Sequence, residues 1–276
     1  MAADTAADRN VEAGGELLVA DGLRKAFGGL MAVSGYRLRL LPGEIVGLMG
    51  PNGAGKTTVI NMLSGLERPS AGTVTFRGVS IAGALPQRVA RLGLARTFQN
   101  LRLFGEYSAL ENVVVGLLHR RRYGVLQAML GGPAYRAAEA RLRQEARELL
   151  ERVGLAGDEG ARAGSLPYGK QRRLEIARAL ALSPKLLLLD EPAAGMVEEE
   201  QQELAALLRS LRAEGLTVLI VDHNVRFLLS VVDRVQVMNY GELIAEGDPR
   251  DVVADPKVVE AYLGSDADAA VAGGVP

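Results

Sequence analysis

Apolar positions recur along this chain with two different periods. Tyr36–Leu41 alternates apolar with polar residues and Glu16–Ala20 is a short apolar run after an acid, and both read as half-buried strands. Glu44–Met49 is almost wholly apolar and runs into a Gly-rich turn, and Lys56–Leu66 then takes up helical spacing. Leu186–Asp190 and Thr217–Asp222 are short apolar runs ending in acidic residues, the pattern of central strands in a parallel sheet covered on both faces. Glu198–Glu214 has a helical period between them, which makes a βαβ unit. From Ala109 to Gly154 the spacing is helical, Ala, Arg, Glu and Leu dominate Ala134–Val153, and no strand signal is present. Val235–Glu246 alternates around Asn239-Tyr240-Gly241 and reads as a hairpin, followed by a short helix over Asp255–Leu263. The pattern predicts an α/β core with a helical lobe inserted in it, no internal repeat, and mobile tails at Met1–Gly15 and Gly264–Pro276.

Composition narrows the function classes. With 276 residues the chain has room for one domain or two closely joined lobes. Its net charge of -1 argues against a general nucleic-acid binder, which needs a basic surplus to displace counterions. Cysteine is absent, which excludes disulfides, thiolate metal sites and cysteine nucleophiles. No run approaches the ~18 apolar residues of a membrane span, and Met1–Gly15 lacks the basic and apolar regions of a secretory signal. A cytoplasmic protein is expected. The strong preference for Arg over Lys reads as genome composition.

Chemistry enters at Gly50-Pro51-Asn52-Gly53-Ala54-Gly55-Lys56-Thr57, which satisfies G-x-x-x-x-G-K-[ST] between a predicted strand and a predicted helix. Glycines let a backbone wrap a phosphate closely, and the helix N-terminus adds the positive end of its dipole. Lys56 suits β- and γ-phosphates, and the Thr57 hydroxyl suits Mg²⁺. Leu186–Asp190 with Glu191 brings two adjacent carboxylates to the C-terminal end of a buried strand, where ligands bind in open α/β sheets. Asp190 is placed to hold Mg²⁺ through water, and Glu191 to polarise the attacking water as general base.

With these motifs the chain resembles the ATP-binding subunits of ABC transporters. Leu166-Pro167-Tyr168-Gly169-Lys170-Gln171, before a helix and just upstream of the Asp-Glu strand, occupies the position of that family's LSGGQ-like signature. The resemblance runs from about Leu17 to Leu263. It implies a P-loop NTPase (RecA-like) core with an antiparallel β subdomain and an inserted α-helical subdomain: core over 16–99 and 166–263, helical subdomain over 100–165, tails over 1–15 and 264–276. It implies further roles residue by residue. Phe27 stacks on adenine, Gly50–Thr58 (Thr58 included) binds phosphate, and Gln99 reaches Mg²⁺ and the attacking water. His223 contacts the γ-phosphate, and Leu166, Pro167, Tyr168, Gly169 and Lys170 face the nucleotide held by a partner subunit. His119 matches no family position and reads as a solvated helix residue, as does the Arg120-Arg121-Arg122 run at a helix end.

Two positions depart from the family pattern. Pro167 replaces the signature serine and has neither hydroxyl nor N–H, although Pro is well suited to a helix's first turn. Val197 stands where the family usually has Asp or Asn. Leu-Pro-Tyr-Gly, Ala193-Ala194-Gly195-Met196, Asn239-Tyr240-Gly241-Glu242, Gly93–Gln99 and Val259–Gly264 are similar to one of the two ATPases of branched-chain amino acid importers. That resemblance implies ATP and Mg²⁺ as ligands, transmembrane permease subunits, a second ATPase copy or sister subunit, and indirectly a periplasmic solute-binding protein. It implies residence on the inner face of the cell membrane. The alternatives are a weakly hydrolysing regulatory partner and the ATPase of a urea, amide or lipopolysaccharide transporter. A soluble ABC-type ATPase acting on DNA or ribosomes fits less well, because the chain has a single phosphate loop and no sustained heptads.

Overall fold

The computed structural model describes residues 15–120 and 132–263. In chain order the strands are β1 (Leu18–Phe27), β2 (Leu30–Leu40), β3 (Ile45–Met49), β4 (Ala71–Phe76), β5 (Val79–Ser80), β6 (Leu94–Arg96), β7 (Leu186–Asp190), β8 (Thr217–Val221), β9 (Arg234–Asn239) and β10 (Glu242–Gly247). The helices are α1 (Lys56–Leu63), α2 (Pro86–Arg91), α3 (Ala109–Leu117), α4 (Pro133–Arg152), α5 (Tyr168–Leu180), α6 (Glu198–Ala213), α7 (Val225–Val231) and α8 (Pro249–Ala254), with residues 256–263 also helical.

The strands form two sheets. One is antiparallel, in the order β2-β1-β4-β5; the other runs β10-β9-β3-β8-β7-β6 and is parallel except for the β9–β10 hairpin. The apolar runs of β3, β7 and β8 have a direct cause. Every residue of these three strands is buried, and successive side chains enter opposite cores. Ile45, Leu187, Leu189, Val218 and Ile220 join a core with α3, α4, α5 and α6, whereas Val46, Leu48, Leu186, Leu188, Leu219 and Val221 join one with α1 and the antiparallel sheet. A strand clamped between two cores has no polar face, so its period disappears from the sequence.

The expected α/β class, antiparallel sheet and helical layer are all present, with corrections of extent. β1 and β2 reach beyond Glu16–Ala20 and Tyr36–Leu41 to meet in a hairpin, Phe27 opposite Leu30. Register shifts between Ala20 and Leu23 break the alternation that would have signalled the longer strand. Lys56–Leu66 stops as a helix at Leu63, capped by Ser64 before Gly65. β4, β5 and β6 have no counterpart in the hydrophobic pattern: β5 and β6, of two and three residues, are too short to show a period, and Gly and Thr dilute that of β4. α3 opens with a capping box, Ser108 with Glu111. α5 packs on both α3 and α4 although it begins after residue 165. His119 is exposed, with its Nδ1 2.9 Å from the Gly116 carbonyl. Of the expected tails, 1–15 and 264–276, all but Gly15 lies outside the described residues, as do Arg121 and Arg122. Among the described residues no helix is long and apolar enough to cross a membrane.

Candidate active site

β3, β7 and β8 are parallel neighbours, so their C-terminal ends open on the same edge of the sheet. From β3 the chain turns through Gly50–Gly55 into α1. Two of these glycines are required by close approach. A Cβ on Gly50, whose φ is 149°, would stand 2.1 Å from the Met238 carbonyl oxygen at the end of β9. One on Gly55, φ 99°, would stand 2.5 Å from the Ala32 carbonyl oxygen of β2. The β9–β10 turn braces the loop: Gly241 N–H donates to Ala54 O at 3.0 Å, and Ser34 N–H donates to Gly241 O at 2.8 Å. The Asn239-Tyr240-Gly241 turn expected from sequence thus forms one wall of the cradle.

Lys56 Nζ donates to the carbonyls of Gly50 (2.7 Å) and Pro51 (2.8 Å) and is buried, at 7% exposure. Burial lowers its pKa, while Glu191, Asp190 and Asp222 pull it back up. Its ammonium therefore feels three carboxylates delivered by two other strands. Pro51 and Ala54 are buried and Thr58 half-buried, while Asn52, Gly53 and Thr57 are exposed.

Asp190 ends β7 and is buried. Parallel pairing sets Asp190 opposite Val221, and Glu191 N–H donates to Val221 O at 2.7 Å, so the residues following β7 and β8 face each other. Glu191 holds a left-handed backbone, φ 49°, a strained conformation for a non-glycine residue. Its Oε2 accepts from Gln99 Nε2 at 2.9 Å, and its Oε1 lies 3.7 Å from His223 Nδ1. Asp222, fully buried, accepts from Ala193 N–H (3.2 Å) and Asn224 N–H (2.9 Å), tying the turn after Glu191 to the segment bearing His223. Burial raises the Asp222 pKa and those two N–H groups lower it in part.

The Leu166–Lys170 segment opens α5. Pro167 is its N-cap and supplies no side-chain cap, Leu166 is buried, and Gln171 Nε2 donates to Leu166 O at 2.8 Å. Tyr168 is exposed and its hydroxyl accepts from Arg172 at 2.8 Å; Gly169 is buried against Glu200. Lys170 is ion-paired with Asp158 at 2.8 Å, so its ammonium is engaged within this chain. Phe27 is 46% exposed at the β1–β2 turn, with Lys25 Nζ 4.8 Å from its ring centroid. It stands outside the core.

The fold thus brings together Gly50–Thr58, Asp190, Glu191, Gln99 and His223. Among the described residues, the side-chain and turn bonds given for Leu166–Lys170 run to Ala163, Asp158 and the Gln171 and Arg172 positions of α5. Two buried partners of these residues gave no clear signal in the sequence. Arg172, buried with Glu175, donates to the carbonyls of Phe98 (2.8 Å) and Gln99, clamping α5 to the Gln99 segment. Arg96 donates to Asp190 Oδ2 at 2.8 Å. The only sequence signal for either was an arginine near a motif, which in a chain this rich in Arg carries little information.

Among the described residues no group of three or more His, Cys, Asp or Glu residues is arranged for a metal. Mg²⁺ does not need one: it takes oxygen ligands and keeps several waters. Thr57 hydroxyl, Asp190 carboxylate and the Gln99 amide oxygen, left as acceptor while Nε2 donates to Glu191, form a donor set of that chemistry.

The family model described as "ABC transporter" matches residues 33–194, and the one described as "Branched-chain amino acid ATP-binding cassette transporter" matches residues 242–268. The chain is 43% identical over 249 residues to the high-affinity branched-chain amino acid transport ATP-binding protein LivG of Salmonella typhimurium, covering 90% of this chain and 98% of that one. It is 41% identical over 249 residues to the corresponding protein BraF of Pseudomonas aeruginosa, with the same coverage. The crystal structure of the ADP conformation of MJ1267, an ATP-binding cassette of an ABC transporter, superposes with a TM-score of 0.80 at 30% identity, over 91% of this chain and 99% of that one.

Proposed function

This chain belongs to the ABC transporter family of ATP-binding proteins, and from that premise we propose that it binds and hydrolyses ATP to drive an importer of branched-chain amino acids. The observation that carries the reading is the glycine cradle of Gly50–Thr57, with buried Lys56 set among Asp190, Glu191 and Asp222. In that arrangement Lys56 exchanges its bonds to Gly50 and Pro51 carbonyls for phosphate oxygens. The N–H groups of Gly53–Thr57 and the α1 dipole add to the field on the phosphates. Phe27, exposed beside Lys25, offers a ring face to adenine.

Glu191 takes the proton of the attacking water, oriented by Gln99 and His223, whose side chains flank its two carboxylate oxygens. Thr57, Gln99 and, through water, Asp190 would hold Mg²⁺, which would supply charge neutralisation for the transferring phosphate. Arg172 and Glu175 carry the position of Gln99 into the helical layer.

Leu166–Lys170 completes the site of a second ATPase, either another copy of this chain or a sister subunit, so that closure on ATP moves the helical lobes against transmembrane permease subunits. Lys170 contributes to that surface through its pairing with Asp158 rather than as a free cation. A periplasmic solute-binding protein is an indirect partner, and the chain works at the inner face of the membrane. The C-terminal match over residues 242–268 and the named relatives support branched-chain amino acids over urea, amides or lipopolysaccharide.

Phosphate release by the purified chain tests the enzymatic part. Turnover that falls by about 10²–10⁴ in Glu191→Gln, with MgATP binding retained, is the expected result. Uptake of labelled leucine, valine and isoleucine by cells lacking the gene tests the solute; normal uptake of all three would sink that assignment.

A further inference from the structure

We propose that Arg96 is a positioning residue for the metal, fixing the Asp190 carboxylate relative to Thr57 before Mg²⁺ arrives. The inference rests on the ATPase reading above and adds a residue which that reading does not use. Arg96 is the last residue of β6, the strand paired in parallel with β7, and Thr97 N–H donates to Leu188 O at 2.9 Å. The ladder therefore carries the Arg96 side chain alongside Asp190. Both side chains are buried, at 7% and 6% exposure.

The guanidinium divides its donors between two elements. One terminal nitrogen donates to Asp190 Oδ2 at 2.8 Å, and the other to Asn61 Oδ1 at 2.6 Å and Ser64 Oγ at 3.1 Å. Its carbon lies 5.1 Å from the Phe98 ring centroid. Thr57, Asn61 and Ser64 are spaced i, i+4, i+7, so they lie on one face of α1 and its C-cap. Arg96 is thus bonded to the helix face that begins with Thr57, to the carboxylate of Asp190, and through three residues of backbone to Gln99. These are the three proposed donors to Mg²⁺.

Chemistry explains why the cation is Arg. A buried carboxylate with no partner is costly, and a metal site emptied at each turnover leaves Asp190 without its cation. A planar guanidinium can hold one carboxylate oxygen while anchored elsewhere by its other nitrogen, and it keeps its charge. Oδ1 then has no bond to Arg96 and is available to a metal-bound water. A lysine reaches one acceptor well but cannot span Asp190 and Asn61 as a rigid fork.

The test uses the full-length protein, with a fluorescent ATP analogue and magnesium chloride as probes. Binding is measured in EDTA and across a Mg²⁺ titration for the wild type, Arg96→Met, Arg96→Lys and Asn61→Ala. Arg96→Met is expected to keep its affinity in EDTA within about twofold, while its Mg²⁺ midpoint rises about tenfold or more. Arg96→Lys and Asn61→Ala are expected in between. An unchanged Mg²⁺ midpoint in folded Arg96→Met overturns the proposal, as does an equal loss of affinity in EDTA and in Mg²⁺, which marks a purely structural role. If Arg96→Met does not fold, Asn61→Ala decides: a raised midpoint supports the assignment and an unaltered one overturns it. Wild-type protein that binds the analogue without any Mg²⁺ dependence would instead overturn the underlying ATPase reading.

Discussion

The Gln99 side-chain amide donates to the Glu191 carboxylate at 2.9 Å, joining the segment after β6 to the acid at the end of β7. Arg172 holds the same segment from the other side through the carbonyls of Phe98 and Gln99. A shift of α5 therefore changes the orientation of Glu191 with only one residue between them. Removing the amide as Gln99→Ala deletes a hydrogen bond worth about 1 kcal/mol to a group acting in the transition state. Turnover is expected to fall by about tenfold with ATP affinity in EDTA unchanged. Steady-state kinetics with equilibrium binding checks this, and a change confined to affinity contradicts it.

Lys56→Ala removes a contact to phosphate that exists already in the ground state. Its first effect is expected on affinity, before any effect on the chemical step. Equilibrium binding of a labelled ATP analogue reads this directly; undiminished affinity would place the lysine outside the phosphate site.

Gly50 and Gly53 differ in what surrounds them, although both have positive φ. An added Cβ at Gly53 meets nothing within 4 Å, whereas at Gly50 it strikes the Met238 carbonyl oxygen at 2.1 Å. Gly53→Ala should cost roughly 1 kcal/mol of stability from backbone strain alone. Gly50→Ala should cost about 2–4 kcal/mol, because strain and overpacking act together. Urea unfolding of both variants separates the two contributions, and equal losses would mean that the β9 contact does not confine the loop.

Asp222 links the acid turn to the His223 segment and is held above the ordinary carboxylate range by burial. Such a group binds a proton more readily in the folded than in the unfolded chain. Its contribution to stability is therefore greatest below the unfolded value and declines as pH rises through the folded one. Asp222→Asn is expected to flatten that decline. Urea midpoints measured from about pH 4 to about pH 7 bracket the window above the free Asp value. A pH dependence over this range that Asp222→Asn leaves unchanged, whether falling or rising, would assign it to other groups.

Pro167 caps α5 without a hydroxyl. If this segment faces a partner's nucleotide, Pro167→Ser restores one hydrogen bond per site, about 1 kcal/mol. Sedimentation velocity with ATP, in a Glu191→Gln background that blocks hydrolysis, is expected to show a tighter dimer for the serine version. Equal association of both versions, alone and with the sister ATPase, contradicts a cross-subunit role for this loop.

Much of this molecule is written locally. The Gly50–Thr57 loop needs only its own glycines, lysine and flanking strand and helix to be recognised, and β7 and β8 are legible because strands buried on both faces tolerate nothing but apolar residues. The 235–246 hairpin is equally local, since its turn lies within the segment. Other features depend on residues distant in the chain. Gly50 must be glycine because β9 brings Met238 against it, and Lys170 pairs with Asp158 because of how α5 follows the preceding loop. The Arg96–Asp190 pair spans 94 positions and exists only because β6 and β7 are parallel neighbours. Periodicity reports which face of an element is buried, whereas strand order and register decide which buried group meets which, and those arise only when the whole sheet assembles.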